Sequence, residues 1–178
     1  MRIEQRAAEA GVALAWRPFL LGPIFREQGW NDSPFNLYPA KGRYMWRDVE
    51  RVCAELRLPF RRPSVFPRNG LRAARIACRH QEEAWLPDFV RAVYHASFAE
   101  NRDPADPAVL AELLAGLGLP GEPILARASE DAAKHALREQ TGRAVERGIF
   151  GAPSFWVDGE LHWGNDRLDA ALRSAAEH

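Results

Sequence analysis

Residues 151–164 read GAPSFWVDGELHWG, and this stretch predicts a β-hairpin. Asp158-Gly159 is one of the dipeptides that best favour a two-residue turn between antiparallel strands. The flanking segments, residues 154–157 and 160–163, are rich in the aromatic and branched side chains that favour strands. The sequence therefore predicts an antiparallel pair of strands close to the end of the chain, ended by Gly164.

Helices are predicted near both ends of the chain. Asn165 or Asp166 can cap a final helix, because Asn and Asp are leading N-cap residues. Residues 2–10 predict a first helix that ends at Gly11. Apolar residues then alternate over residues 12–16, which predicts a short strand. The apolar face of the final helix consists of Leu168, Ala171, Leu172 and Ala175.

The middle of the chain is predicted to be helical. Prolines and glycines between residues 19 and 43 favour a long ordered loop, and loops of that length are frequently functional. Ser129 is interpreted as the N-cap of the last central helix, which Gly148 ends. The spacing of apolar residues predicts central helices over residues 44–58, 71–80, 82–99, 107–117 and 129–147.

Composition argues against several kinds of partner. The 178 residues include 24 basic and 24 acidic side chains, so the net charge offers no field that would attract nucleic acid. No apolar stretch approaches the roughly 20 residues that cross a bilayer, and the first residues lack the apolar core of a secretory signal. We therefore expect a cytoplasmic protein without a nucleic-acid or membrane partner. The histidines are not spaced as zinc or iron ligands, so no metal is predicted.

The chain has two cysteines, Cys53 and Cys78, each within a predicted helix. Their spacing is not that of a C-x-x-C motif, which excludes a dithiol redox centre. We expect both to be buried small apolar residues in reducing cytosol. A structural disulfide between them is the alternative.

The order of helix, strand, helical block, hairpin and helix predicts an α/β fold. Residues 151–159, with residues 163–168 after them, resemble the C-terminal signature of DsbA-fold proteins, and most closely that of 2-hydroxychromene-2-carboxylate isomerases and kappa-class glutathione transferases. Residues 30–34 and 39–45 resemble the loop ahead of that family's helical insertion. The resemblance implies a thioredoxin-like sheet interrupted by an all-helical insertion, the DsbA-like arrangement.

The resemblance also implies where the two domains lie. Residues 1–43 and 129–178 are assigned to the thioredoxin-like domain, and residues 44–128 to the helical insertion. Family members have a first strand and a Ser-Pro turn, whose serine stabilises the glutathione thiolate, ahead of the position of Met1. We expect this N-terminal strand to be missing, and we favour a misassigned start over a natural truncation. Loss of a central strand removes the ladder partners of its neighbours, so poor folding is expected. Loss of the serine hydroxyl that stabilises the thiolate leads us to expect weak glutathione binding and low turnover as well.

The resemblance implies a glutathione site at the hairpin. Pro153 takes the position of a cis proline, and Ala152 that of the residue whose backbone pairs with the cysteinyl part of glutathione. Asn165 and Asp166 take the position that receives the γ-glutamyl end, where backbone N–H groups and an Asp side chain suit a carboxylate and an ammonium. The alternative is that Asp166 only caps the final helix.

Asn31 and Lys41 take the positions that the family uses for catalysis. The asparagine lies near the sulfur in family members, and the lysine lies near a carboxylate of glutathione or of the substrate, a role that suits a flexible point charge. A lysine in a loop is otherwise usually a solvated surface residue. Aromatic residues in this region fit the wall of an aromatic pocket and core packing equally well; they are Trp30, Phe35, Tyr38, Tyr44 and Trp46.

The implied activity is a glutathione-dependent isomerisation of 2-hydroxychromene-2-carboxylate to trans-o-hydroxybenzylidenepyruvate, a step in aromatic catabolism. Glutathione supplies the thiolate, which accounts for a thioredoxin-like fold without its own reactive cysteine. The enzymatic alternatives are a kappa-like glutathione transferase and a DsbA-family oxidoreductase, the latter disfavoured by the absent C-x-x-C motif. The alternative of another class is a non-catalytic thioredoxin-like binding module. The expected partner is a small aromatic acid, and a homodimer is a candidate assembly because relatives are commonly dimers.

Overall fold

A computed structural model describes residues 2–177, which form a helical protein with one hairpin. Within that range the regular elements, in chain order, are α1 (Ile3–Glu9), α2 (Leu21–Glu27), α3 (Pro34–Leu37), α4 (Pro39–Glu55), α5 (Leu71–Arg79), α6 (Leu86–Phe98), α7 (Pro107–Gly116), α8 (Gly121–Ser129), α9 (Asp131–Glu146), β1 (Ser154–Val157), β2 (Glu160–Trp163), a 3₁₀-helix (Asn165–Arg167) and α10 (Leu168–Ala176).

The predicted hairpin is confirmed. β1 and β2 pair in antiparallel fashion, with Ser154 opposite Trp163 at the open end. The φ angles of Asp158 and Gly159 are 44° and 88°, the positive values that a tight two-residue turn needs. A local dipeptide signal was sufficient here because the turn itself sets the register of the two strands.

The strand predicted over residues 12–16 is wrong. Residues 12–20 form no regular element, and the N–H of Val12 donates back to the carbonyl oxygen of Ala7 at 2.9 Å. A strand needs a neighbouring strand for its backbone hydrogen bonds. In the part of the chain that the structure describes, β1 and β2 pair only with each other. The alternating pattern therefore gives an irregular segment, from which Trp16 packs against the main core.

The long loop predicted between residues 19 and 43 is also wrong, because this stretch contains α2, α3 and the first turn of α4. Pro34 and Pro39 occupy the first positions of α3 and α4. The first N–H groups of a helix have no partner within the helix, so a proline there loses no hydrogen bond. These prolines begin helices rather than interrupt them.

The central helices follow the predicted order with one omission. The stretch between the helices predicted over 107–117 and 129–147 contains α8, which begins at Gly121. Ser129 is the last residue of α8, and its hydroxyl donates to the carbonyl oxygen of Leu125 at 3.3 Å rather than capping α9. The predicted end of α9 is confirmed, since Gly148 follows with a φ of 68°.

The main core lies among α5, α6, α7 and α8. A second cluster joins the two ends of the described chain, because Ala7 of α1 packs with Leu168 and Leu172 of α10. Phe155 of β1 packs against this second cluster. The helices at both ends thus support one face of the hairpin. The largest fully buried side chains of the protein are Phe89, Ile76, Leu86, Leu110, Leu114 and Leu137.

None of the helices between residues 2 and 177 is long and apolar enough to span a membrane. α9 packs on α5 and α8, so the two predicted domains share contacts. Their boundaries, residues 1–43 with 129–178 and residues 44–128, stay a prediction.

The backbones of α3 and α4 approach each other closely at Gly42. A Cβ added at this buried glycine lies 2.1 Å from the carbonyl oxygen of Phe35, a backbone atom that cannot rotate away. We expect Gly42→Ala to lower the free energy of unfolding by about 1–3 kcal/mol, because overpacking forces the two helices apart. Urea denaturation measures the effect.

The matched control is Gly22→Ala in α2, where the added Cβ meets no described atom within 4 Å. Its expected effect is neutral or slightly stabilising. Equal stability of the two variants would contradict the close packing of α3 on α4.

Candidate functional site

Two segments of the chain meet at the open end of the hairpin, residues 151–153 before β1 and residues 164–166 after β2. The N–H of Gly164 donates to the carbonyl oxygen of Pro153 at 3.0 Å. The Ala152–Pro153 peptide bond is cis, which confirms the expectation for this proline. We call these six residues the hairpin junction.

Gly151 closes the junction against the last residue of β2. A Cβ added at this buried glycine lies 2.4 Å from Nε1 of Trp163. The ring of Trp163 also packs on Phe150, with centroids 4.8 Å apart. The hydroxyl of Ser154 donates to the carbonyl oxygen of Gly151 at 2.8 Å, which fixes the entry to β1. The indole occupies the space where a side chain would stand, so any larger residue at this position must displace the ring.

Ala152 presents an unpaired backbone at the surface. The residue is exposed, and among residues 2–177 neither its N–H nor its carbonyl oxygen forms a hydrogen bond. Pairing between β1 and β2 begins at Ser154. Free backbone groups beside a strand are the usual means by which a protein pairs with an extended peptide. Ala152 can therefore pair with a peptide ligand.

Asn165 and Asp166 begin the terminal helical segment without capping it through their side chains. The 3₁₀-helix precedes α10, which makes Arg167 its N-cap residue, and no side-chain capping bond forms in either element. The prediction that Asn165 or Asp166 caps the final helix is therefore wrong, because an extra turn lies between them and α10. Within the described residues, the backbone N–H groups of both make no hydrogen bond.

The carboxylate of Asp166 is accessible. Its side chain is 74% exposed, and Oδ2 lies 3.5 Å from a guanidinium nitrogen of Arg167. Oδ1 lies 2.5 Å from the place of a Cβ on Gly164, whose φ of 112° also favours glycine. Asp166 can thus approach the backbone of the junction closely and still receive a cation from solvent.

Arg2 is a junction contact that the sequence did not reveal. Its guanidinium donates to the backbone carbonyl oxygen of Asn165 at 3.0 Å. The two residues are 163 positions apart, so no local pattern indicates the pair. The start of the described chain therefore helps to fix the turn after β2.

Asn31 lies exposed in the turn between α2 and α3. The next residue, Asp32, braces this turn by accepting hydrogen bonds from the N–H of Ser33 at 2.6 Å and from the amide of Asn36 at 3.0 Å. Asn36 also donates to the carbonyl oxygen of Phe66 at 3.0 Å. The turn that carries Asn31 is thereby attached to the segment before α5.

Lys41 is exposed in the first turn of α4, with Nζ 4.9 Å from the centre of the Tyr38 ring. In the described chain no hydrogen bond or ion pair connects Lys41 or Asn31 to the hairpin junction. The structure therefore brings together the predicted cofactor-binding residues but leaves the two predicted catalytic residues on a separate segment. The residues brought together are Ala152, Pro153, Asn165 and Asp166.

The aromatic residues of this region divide between core and surface. Trp46 is buried and packs edge-on against Phe66, with ring centroids 4.8 Å apart, so core packing explains it. Tyr44 is 67% exposed and Tyr38 is 46% exposed. The exposed tyrosines, rather than Trp46, are the candidates for contact with an aromatic ligand.

Neither cysteine has the character of a nucleophile. Both thiols are free, so the alternative of a disulfide is wrong. Burial raises the pKa of Cys53 and of Cys78, although a hydrogen bond with Gln81 opposes the shift at Cys78. The thiolate is the reactive form of cysteine, so a raised pKa lowers reactivity at neutral pH. Within residues 2–177, no cluster of three potential metal-ligating His, Cys, Asp or Glu side chains occurs.

Comparison with known proteins finds one matching family model and similar enzymes of two kinds. The family model described as a DSBA-like thioredoxin domain matches residues 1–175. A 2-hydroxychromene-2-carboxylate isomerase from Sphingobium xenophagum is 30% identical over 171 residues, which cover 95% of this chain and 86% of the relative. Glutathione S-transferase kappa 1 from Homo sapiens is 27% identical over 172 residues, which cover 89% of this chain and 75% of the relative.

A solved structure extends the likeness to three dimensions. The structure of a selenomethionine-labelled 2-hydroxychromene-2-carboxylate isomerase superposes with a TM-score of 0.86 at 26% sequence identity. The match covers 99% of this chain and 85% of the solved one. The described helices and hairpin therefore have the DsbA-like thioredoxin fold with a helical insertion.

Gly151→Ala tests the geometry of the junction. The added methyl group displaces the indole of Trp163, so we expect the indole N–H resonance of Trp163 to move and the amide resonances of residues 164–166 to move with it. Two-dimensional ¹H–¹⁵N NMR spectra measure both. Gly116→Ala, at the end of α7 with no described atom within 4 Å of the new Cβ, is the control. Unchanged resonances in Gly151→Ala would contradict the contact.

Proposed function

The chain belongs to the DSBA-like thioredoxin domain family, and on that premise we propose that it is a glutathione-dependent isomerase that converts 2-hydroxychromene-2-carboxylate to trans-o-hydroxybenzylidenepyruvate. The observation that carries the proposal is the hairpin junction, where the four residues expected to bind glutathione meet at the surface. Relatives named as 2-hydroxychromene-2-carboxylate isomerases support the choice of substrate. A relative named as a glutathione transferase supports the choice of cofactor.

The junction fits the peptide part of glutathione. The free N–H and carbonyl oxygen of Ala152 match the donor and acceptor of the cysteinyl residue, which would pair with them as a short antiparallel strand. The sulfur would then lie beside the start of β1. In this arrangement Ala152 orients the cofactor through backbone groups, so the identity of its side chain matters little.

The γ-glutamyl end of glutathione carries a carboxylate and an ammonium, and the junction offers a complement to each. The backbone N–H groups of Asn165 and Asp166 are free to donate to the carboxylate. The exposed carboxylate of Asp166 would accept from the ammonium in a charge-assisted hydrogen bond. The turn that contains Asn165 and Asp166 would thus recognise both charged groups of the γ-glutamyl end.

Bound glutathione would supply the thiol nucleophile for cis–trans isomerisation. The chain's own thiols do not suit that role, because burial raises the pKa of Cys53 and Cys78. In the proposal, the ammonium of Lys41 pairs with a carboxylate of the substrate or cofactor, and the amide of Asn31 donates towards the sulfur. Both side chains are exposed and available for these contacts.

A kappa-like glutathione transferase is the second candidate, favoured by the similarity to the human kappa-class enzyme over most of both chains. The same junction would bind glutathione, and the two candidates differ only in the electrophile. A DsbA-type dithiol oxidoreductase is disfavoured because Cys53 and Cys78 lie in different helical segments and form no C-x-x-C motif. We also propose that the protein assembles as a homodimer.

Asp166→Asn tests the cofactor site. Removal of the negative charge while the shape is kept should weaken glutathione binding by about tenfold or more, since a charged hydrogen bond is lost. Isothermal titration of glutathione into each protein measures the dissociation constant. Glu160→Gln, an equally conservative change on β2 of the same hairpin, should bind glutathione as the unchanged chain does. Equal affinities of the Asp166 and Glu160 variants would contradict the site, and failure of the unchanged chain to bind would favour a non-catalytic module.

Lys41→Gln tests the proposed catalytic role on the separate segment. With glutathione present, we expect kcat/KM for 2-hydroxychromene-2-carboxylate to fall about tenfold or more, because the substrate or cofactor carboxylate loses its counter-ion. The absorbance change on isomerisation measures the rate, and Arg43→Gln in the same helix is the matched control. A rate that does not depend on glutathione would refute the isomerase. Conjugation of chlorodinitrobenzene without isomerisation would favour the transferase.

A further inference from the structure

A cleft of about 350 Å³ lies between α2, α5 and α9, away from the hairpin junction. Its walls are largely apolar. None of the six residues proposed for glutathione binding or catalysis lines it. The apolar lining comprises Leu20, Pro23, Leu71, Leu137 and Val145.

Three cationic side chains open into this cleft, Arg75 from α5 and Lys134 and Arg138 from α9. Lys134 is partly neutralised, because Nζ lies 2.8 Å from a carboxylate oxygen of Asp131. Glu27 is the acidic residue of the lining, and within residues 2–177 it forms no ion pair with any of the three. The cleft therefore combines a net positive charge with largely apolar walls.

The two arginines lack protein partners. The Nε of Arg75 is buried and meets no hydrogen-bond acceptor among the described residues. Arg138 likewise forms no hydrogen bond or ion pair there, although its neighbour Lys134, one helical turn earlier, does. A buried donor without an acceptor costs free energy, so an anion that accepts from it gains more than the same anion on an open surface. The buried Nε of Arg75 thus favours an acceptor in the cleft, and the exposed guanidinium of Arg138 is free to pair with the same acceptor.

The frame of the cleft is fixed by a hydrogen-bonded threonine. The hydroxyl of Thr141 donates to the carbonyl oxygen of Leu137 at 2.8 Å and accepts from the N–H of Leu20 at 3.3 Å. This pair of bonds ties the segment before α2 to the middle of α9. The apolar wall from α2 therefore keeps a set position opposite the guanidinium groups.

We propose that this cleft is a binding site for a small organic acid, separate from the glutathione site. The carboxylate pairs with Arg75 and Arg138, whose planar guanidinium groups suit bidentate recognition. The hydrocarbon body of the acid packs on the apolar walls, which removes them from water. The cleft thus selects ligands that combine one negative charge with an apolar body, independently of the substrate of the proposed isomerase.

The test is calorimetric titration of trans-cinnamate into the full chain without glutathione. We expect binding at one site, and we expect Arg75→Gln and Arg138→Gln each to weaken it by about tenfold or more. Arg79→Gln at the end of α5 and Arg143→Gln on α9 lie outside the cleft and should leave the affinity unchanged. Cinnamyl alcohol, which has the same apolar body without the charge, should bind at least about tenfold more weakly than cinnamate.

Two further measurements keep this result separate from the glutathione proposal. Thermal unfolding of each variant establishes that it is folded. Arg138 is exposed, so Arg138→Gln should fold even if a change at Arg75 disturbs the core. Asp166→Asn should bind cinnamate normally, and Arg138→Gln should bind glutathione normally. The proposal is overturned by an absence of cinnamate binding, by undiminished binding in the folded Arg138 variant, or by loss of cinnamate binding in Asp166→Asn.

Discussion

The hydrogen bond from the N–H of Gly164 to the carbonyl oxygen of Pro153 is the contact on which the candidate site depends. It joins the residues that enter β1 to those that leave β2, and it thereby places the free backbone of Ala152 beside the turn that carries Asp166. The contact is possible because Gly151 has no side chain where the indole of Trp163 lies. Behind the hairpin, α1 and α10 pack against Phe155 and give the junction a rigid support.

The proposed site consists of two separate parts, the hairpin junction and the segment around α3 and α4. The junction offers mainly backbone groups and one carboxylate, which suit recognition of a peptide-like cofactor with a free amino group. Lys41 and Asn31, on the segment around α3 and α4, add a cation and a neutral amide. Since burial raises the pKa of both cysteines, the protein has groups for binding and orientation but lacks an accessible thiolate of its own. A thiol cofactor complements what the described chain provides.

The sequence predicted those features whose cause is local. Asp158-Gly159 set the hairpin and its register, and the apolar spacing of α10 placed Leu168 and Leu172 in the core. The strand expected at residues 12–16 failed because a strand exists only with a partner, which alternation within one segment cannot supply. Pro34 and Pro39 were misread since a proline that starts a helix and one that prevents it look alike until the helix is seen.

Features created by distant contacts were beyond the sequence. The hydrogen bond of Arg2 with Asn165 spans 163 positions, and the cleft with Arg75 and Arg138 forms only when α2, α5 and α9 come together. The positions proposed for glutathione were identified by resemblance rather than by a local signal. Four of them flank the predicted hairpin and meet at its open end in the structure, whereas the distance of Asn31 and Lys41 from this junction could not be predicted from spacing along the chain.

The most direct test of the glutathione site is a titration of uniformly ¹⁵N-labelled protein with glutathione, followed by NMR. If glutathione binds at the hairpin junction, the amide resonances of Ala152, Asn165 and Asp166 shift together with a single dissociation constant, while those lining the cleft between α2, α5 and α9 stay in place. Shifts confined to the cleft, or spread over the surface without the three junction amides, would contradict a glutathione site at the hairpin junction.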